Sequence, residues 1–324
     1  MNINIIKGGD DFFTNRLFSY LSRELNLKIE GIKQLRGNVF LIKSDQSKFI
    51  LKGFNDLRKL KIQETFSSSL RKSGFNHSYR FHSFSDQPLY FANQYYGCME
   101  YIEPHKKPFH YKHSSDRLEG INLLENFHAK TQNLSHSYST LLPKTDLVSK
   151  WRQRKNEFTH NMPRLNYHIS KEVGDELISW ADFSLTGFTR LKKSLESSKP
   201  VILHGDVAHH NFLRSREGKL NLIDFDLISI GSSSCDMLQY ANRILPFLNW
   251  RLDLLSEIPH LSNWLNNDSF LFGLLYPADI LREWNRLFRE ESGFNFYRTA
   301  PIIELTINQI HQRRQFQEEV KSLL

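Results

Sequence analysis

The stretch His204-Gly205-Asp206-Val207-Ala208-His209-His210-Asn211, followed by Ile223-Asp224-Phe225-Asp226, decides how this chain reads. Val201-Ile202-Leu203 ahead of it and Leu220-Asn221-Leu222-Ile223 within it are short apolar runs bounded by polar residues, which predicts two strands around a polar loop. Strand, loop, strand and acidic strand end is a sound way to build a site for a metal and a phosphate. Asp206 can accept a proton from an attacking hydroxyl. Asn211 and Asp224 offer the hard oxygen ligands that Mg²⁺ favours. Phosphoryl transfer asks mainly for positioning and charge neutralisation, which these groups supply. His204 reads as a brace for the loop, because the base role falls to the carboxylate.

His-x-Asp with Asn five residues after the Asp, then an acidic strand end, resembles the protein-kinase catalytic core. The Gly between His and Asp and the form Ile-Asp-Phe-Asp resemble the aminoglycoside phosphotransferase and choline kinase-like family. Further agreements follow the right order along the chain. Lys52 ends Phe49-Ile50-Leu51-Lys52, and the resemblance implies that it neutralises the α- and β-phosphates of ATP. Glu64, twelve residues on, is implied to be its ion-pair partner. Gly37-Asn38 stands where the family has its glycine turn over the phosphates. Cys98-Met99-Glu100-Tyr101-Ile102-Glu103-Pro104 is similar to the inter-lobe linker, where backbone groups near Glu100 and Ile102 would bond adenine. Leu124-Glu125-Asn126-Phe127-His128 resembles the first large helix of the second lobe. Asp236, twelve residues after Asp224, matches an aspartate that braces the catalytic loop. The resemblance spans about residues 30–245. Two departures stand out: the phosphate turn has one glycine, and no acidic residue follows in Leu227-Ile228-Ser229-Ile230-Gly231.

The implied architecture is α+β, a two-lobed protein-kinase-like fold. Residues 1–101 form a nucleotide-binding lobe with a small antiparallel sheet and one helix. Residues 102–324 form a larger, mainly helical lobe with the catalytic loop at 204–211 and the metal strand end at 223–226. Local patterning agrees. Val39-Phe40-Leu41-Ile42 and Phe49-Ile50-Leu51 read as strands joined by a turn at Asp45-Gln46-Ser47. Leu57, Leu60, Ile62, Phe66 and Leu70 have helical spacing, with Gly74 as a stop. Residues 79–102 return to short aromatic-rich strands. Helical patterns follow from about 114, with a stripe of Leu118, Ile121, Leu123, Leu124 and Phe127, and then over 147–160, 171–196, from 234 onward and at an amphipathic end, 302–323.

Composition excludes several classes. The 324 residues, 40% hydrophobic and 24% charged, suit a globular protein and exclude disorder, collagen and coiled coil. Two cysteines, Cys98 and Cys235, exclude a disulfide scaffold and a cysteine-rich zinc module. The longest strongly apolar run near the C-terminus, Phe270 to Tyr276, falls far short of the about 20 residues that cross a bilayer. MNINIIKGGDDFF lacks the features of a signal peptide, so a cytoplasmic protein with no membrane insertion is expected. The net charge of +8 is uneven: Lys and Arg number 15 against 9 acidic residues in 1–100, and 9 against 10 in 241–324. No run of five basic residues occurs, and no nucleic-acid partner is expected.

The expected function is ATP- and Mg²⁺-dependent transfer of the γ-phosphoryl group to a hydroxyl of a small molecule. A metallohydrolase competes, since His204, Asp206, His209, His210 and Asp224 are all metal-ligand types; adjacent histidines, however, do not easily aim at one ion. Val207-Ala208-His209-His210-Asn211-Phe212-Leu213 and Leu238-Gln239-Tyr240-Ala241-Asn242-Arg243 also resemble the bacterial spore-coat-associated branch of the family. That branch implies a structural or binding role among spore-coat proteins, with little or no turnover.

Overall fold

The computed structural model describes residues 11–25, 27–84, 87–191, 199–290 and 296–324. The first ten residues, most of the segment expected to lack a signal peptide, and the end of the helical pattern over 171–196 lie outside them. The chain divides into two units: residues 1–109 with 210–226, and residues 110–209 with 227–324.

In the first unit, alternation of apolar and polar side chains builds an antiparallel sheet. Its strands are β1 (Ile29–Arg36), β2 (Val39–Ser44), β3 (Lys48–Phe54), β4 (Phe81–His82), β5 (Leu89–Phe91) and β6 (Gln94–Glu100), in the order β1-β2-β3-β6-β4, with β5 also on β6. The β2–β3 turn falls at Asp45-Gln46-Ser47, where Ser44 Oγ accepts from the N–H groups of Gln46 and Ser47. Phe40, Ile42, Phe49 and Leu51 are buried against Leu17 and Leu21 of helix α1 (Asp11–Glu24). Helix α2 (Leu57–Lys72) is capped by Asp56, whose carboxylate accepts from Arg58 N–H, and buries Leu60, Phe66 and Leu70. Its chain leaves through Gly74 at φ +86°. The hairpin of β8 (Phe212–Arg214) and β9 (Leu220–Leu222) belongs to this unit, tied by Leu222 N–H to His77 O at 2.8 Å.

The second unit pairs β7 (Val201–Leu203) with β10 (Ser229–Gly231) and surrounds them with helices. These are α3 (Ser114–Gln132), α4 (Leu147–His160), α5 (Met162–Leu165), α6 (Lys171–Arg190), α7 (Ser234–Ile244), α8 (Leu252–Ser256), α9 (Pro259–Ser262), α10 (Asp268–Leu274), α11 (Ala278–Arg289), α12 (Phe296–Ile307) and α13 (Ile310–Lys321). Helix α3 packs on β7 through the expected stripe, Ile121, Leu123, Leu124 and Phe127, while Leu118 faces solvent. Helix α4 packs against α6 and α11. Trp151 of α4 stacks on Tyr276 with ring centres 4.3 Å apart, and the Tyr276 hydroxyl donates to Trp151 O. The amphipathic end is two helices rather than one, because the chain breaks between α12 and α13 where Gln309 bonds Trp250 Nε1 and Pro246 O. Among the described residues no helix is long and apolar enough to cross a membrane.

Candidate active site

In the first unit, Lys52 follows the apolar run of β3, and its side chain is 10% exposed. A buried ammonium needs counter-charges, and Nζ has two: Asp224 Oδ1 at 2.9 Å and Asp226 Oδ1 at 2.6 Å. Asp224 comes two residues after β9 with φ +70°, a backbone state that points its carboxylate back toward Lys52 at some conformational cost. Its other oxygen accepts from Arg36 Nη2 at 2.5 Å. Burial works against the Asp224 charge, but Lys52 and Arg36 outweigh it and hold the carboxyl below its ordinary range. Arg36 ends β1 and pairs with Val39, so Gly37 and Asn38 form a two-residue turn with Gly37 at φ +41°.

The expected pair between Lys52 and Glu64 does not form. Glu64 bonds Lys61 Nζ at 2.7 Å and faces a different recess, beside Cys98 and Phe81. One residue turns a helix by about 100°, and it is Gln63, 5% exposed, that faces the lysine's partners. Gln63 Nε2 donates to Asp226 Oδ1 at 2.6 Å. A neutral amide thus stands on the face where the family resemblance implied an acid.

Asn211 is buried and accepts from Ile223 N–H at 2.9 Å, continuing the β8–β9 ladder by one step. That step sets Asn211 next to the strand end that carries Asp224. A recess of about 440 Å³ in this unit is lined by Arg36, Val39, Lys52, Met99, Ile102 and Asp224, with Glu100 and His210 also on its wall. Glu100 spends its N–H on Arg80 O at 2.8 Å. Ile102 lies beyond the end of β6 on the same wall. Gly37 does not line the recess; its neighbours Leu35, Arg36 and Val39 do.

In the second unit the loop after β7 is held by one buried carboxylate. Asp236 Oδ2 accepts from His204 N–H at 2.7 Å, and Oδ1 from Gly205 N–H at 3.0 Å. His128 Nε2 bonds Oδ2 at 2.9 Å. Burial would raise the Asp236 pKa, yet His128 and the His204 contacts hold it below the ordinary range. Gly205 has φ +79°, and a β-carbon there would overlap Leu227 O, so only glycine fits. His204 is fully buried and its Nδ1 accepts from Asp206 N–H at 3.3 Å, which makes it a brace. Gln239 clamps the next turn, accepting from Val207 N–H at 2.7 Å and donating to Gly205 O at 3.1 Å. The Asp206 carboxylate is left partly exposed, 33%, with Arg243 Nη2 3.5 Å from Oδ1. Arg36 and Gln63 carry these contacts without any motif in the sequence that singles them out, and Asp226, Gln239 and Arg243 lie in quoted motifs that assigned them no role.

Asp224 and Asn211, which face each other across the end of the β8–β9 ladder as neighbours of Ile223, carry oxygen donors of the type that suits a hard divalent cation such as Mg²⁺. Among the described residues no group of three or more His, Cys, Asp or Glu is placed to hold a metal. His204, one of the five ligand types of the metallohydrolase reading, bonds the loop through Nδ1.

Residues 138–253 match the phosphotransferase enzyme family. The structure is similar to an aminoglycoside phosphotransferase from Alicyclobacillus acidocaldarius, with 17% identity, a TM-score of 0.73, and 93% of this chain and 94% of that one covered. It is also similar to choline kinase LicA from Streptococcus pneumoniae, at 14% identity and TM-score 0.54 over 93% and 99% of the two chains. LicA has been solved in complex with AMP. An ethanolamine kinase from Plasmodium vivax has 14% identity and TM-score 0.54 over 100% of this chain and 94% of its own. No curated protein matches the chain in sequence. These matches bear out the resemblance to aminoglycoside phosphotransferases and choline kinases, and the kinase-like fold: an antiparallel-sheet unit with a helix, and a mainly helical unit.

Proposed function

We propose that the protein is an ATP- and Mg²⁺-dependent phosphotransferase that moves the γ-phosphoryl group to a hydroxyl of a small molecule. The observation that carries this is the buried Lys52, paired with Asp224 and Asp226 in a recess that Ile102 also lines. Phosphotransferases and kinases of similar fold, one of them solved with AMP, support the same reading.

Lys52 and Arg36 bind the phosphates, and backbone groups near Glu100 and Ile102 receive adenine. Because the Glu100 N–H is already spent on Arg80 O, Ile102 is the freer of the two. Gly37 turns the chain so that Arg36 reaches the recess. Asn211 and Asp224 are the residues that would hold Mg²⁺, which supplies charge neutralisation at the phosphates when bound. Glu64 acts on this site only through the fold of α2, and Gln63 takes the nearer place. Asp206 accepts the proton of the acceptor hydroxyl as its oxygen bonds to the γ-phosphorus, and ADP departs with the electrons of the broken P–O bond. Residues 1–101 then serve the nucleotide and 102–324 the acceptor and the loop, in a cytoplasmic protein.

Calorimetric titration of ATP with and without Mg²⁺, on wild type beside Asp224→Asn, tests this. Mg²⁺-dependent binding that the variant loses is the expected result. Absence of ATP binding in wild type overturns the enzyme reading and favours a binding role, such as one among spore-coat proteins.

A further inference from the structure

A recess of about 560 Å³ opens in the second unit beside β10, within the about 300–1,000 Å³ that small-molecule sites span. Its apolar lining is gathered from separate parts of the chain: Leu147 and Val148 at the start of α4, Phe188 of α6, Pro200 just before β7 and Ile230 of β10. Val148, Phe188 and Ile230 are themselves buried, so hydrocarbon forms the floor.

Lys144 stands on the same wall, and the backbone fixes its place there. Ile230 N–H donates to Pro143 O at 2.8 Å, and Thr145 N–H donates to Ile230 O at 2.8 Å. Residues 143–145 thus run beside β10 through a parallel bridge between Lys144 and Ile230. Thr145 Oγ1 and Ser229 Oγ, 2.6 Å apart, add a side-chain tie.

The charge of the lining is one-sided. Lys144 and His136 belong to it, and no carboxylate does. Asp146, two residues from Lys144, is spent on capping α4, where it accepts from Ser149 N–H at 3.1 Å and from Ser149 Oγ at 2.6 Å. Among the described residues no carboxylate stands at ion-pair distance from Lys144. The serine hydroxyls nearby are used within the protein: Ser135 donates to Gln132 O, Ser139 donates to His136 O, and Ser232 bonds Ser234. A crevice that merely separates helices mixes both signs of charge. The larger one of about 1,100 Å³ beside α8 and α13 does so, with Arg251, Asp253, Asp268 and Glu319 on its wall.

We propose that the recess beside β10 is a second binding site, sharing no residue with the nucleotide recess, and that it takes a small molecule with an apolar chain and a carboxylate head, such as a medium-chain fatty acid. The chain displaces water from the floor of Val148, Phe188 and Ile230, and each methylene buried there adds to affinity. The carboxylate pairs with the Lys144 ammonium, where no acid on the wall repels it. An alkylammonium of equal length gains the same burial but meets a like charge.

The full chain is titrated by calorimetry at pH 8 with butanoate, octanoate and octylamine, on wild type beside Lys144→Gln and Lys144→Glu. In wild type, octanoate is expected to bind at least tenfold more tightly than butanoate and at least fivefold more tightly than octylamine. Lys144→Gln should lose at least threefold in octanoate affinity, and Lys144→Glu should reverse the order of octanoate and octylamine. No octanoate binding, equal affinity for butanoate and octanoate, octylamine bound as tightly as octanoate, or octanoate affinity unchanged in both variants overturns the inference. Lys144 is exposed, so neither substitution disturbs the core. Should a variant fail to fold, the order of the three ligands in wild type still decides. ATP does not enter the titrations, so their outcome is separate from that of the phosphotransferase reading.

Discussion

Gly205 passes so close to the carbonyl of Leu227 that no side chain fits between them. The glycine of His-Gly-Asp is therefore a packing requirement as well as a conformational one, since its φ is +79°. Gly205→Ala forces the loop to shift. The strained backbone alone costs about 1–3 kcal/mol. Urea unfolding is expected to show a loss of at least that size, together with loss of phosphoryl transfer. Unchanged stability would mean that the loop relaxes freely.

Asp236 joins the loop to α3 and α7 from a buried position. Asp236→Ala leaves two N–H groups and His128 without their acceptor, and a loss of about 3–5 kcal/mol is expected in the same unfolding assay. The pH dependence has a definite sign. A carboxyl held below its ordinary value stabilises the fold above the unfolded-state pKa of about 4, and that stability fades as pH falls through the lower folded value. Asp279, held down by Arg313, adds to the same slope after its own burial is overcome. Stability measured from pH 6 down to 2 should fall less steeply in Asp236→Asn than in wild type.

Lys52→Met removes the buried counter-charge of Asp224 and Asp226. A charge-assisted contact of this kind is worth about 1.5–3 kcal/mol, so ATP binding should weaken by roughly ten- to a hundredfold. The Asp224 carboxyl should titrate higher than in wild type, which carbon-detected NMR of the aspartates reads directly. An unmoved Asp224 titration would show that Arg36 alone sustains its ionisation.

Gln63 and Glu64 are neighbours with opposite expectations. Gln63→Ala removes the amide that steadies Asp226 and should weaken ATP binding severalfold. Glu64→Gln breaks only the contact to Lys61, and nucleotide affinity should stay within about twofold of wild type. The reverse order, read by calorimetry, would restore Glu64 to the site.

The Cys98 thiol is pushed up to about 12, by burial first and by the Glu64 charge second. Thiolate is the reactive form. A maleimide at pH 8 should therefore leave Cys98 unlabelled in the folded protein and label it in urea, as peptide mass mapping would show.

Those neighbours also mark how far the sequence could be read. The places of Lys52, Asp206, Asn211 and Asp224 in the fold were legible because each sits at a strand end or within a short loop, where local pattern fixes position. The helix over 57–72 was legible too, but not its rotation. A slip of one residue turns a helix by about 100°, and the resemblance, which implies an acid on this helix, selected Glu64 where Gln63 faces the lysine's partners. Arg36 and Arg243 were not legible as site residues, since their meaning comes from partners far along the chain. Asp206 and Arg243 are 37 residues apart, and Arg36 and Asp224 are 188.

The two partners of Asp224 differ in freedom: Lys52 is 10% exposed and Arg36 is 57% exposed. Asp224 is thus an ionised group with one fixed and one detachable counterion. A divalent cation bound there, as proposed, would exchange with the arginine instead of displacing a proton. The guanidinium so released would stand on the recess wall, within reach of a phosphate. The heat of that exchange should be the same in buffers of different ionisation enthalpy near neutral pH, because no proton changes hands.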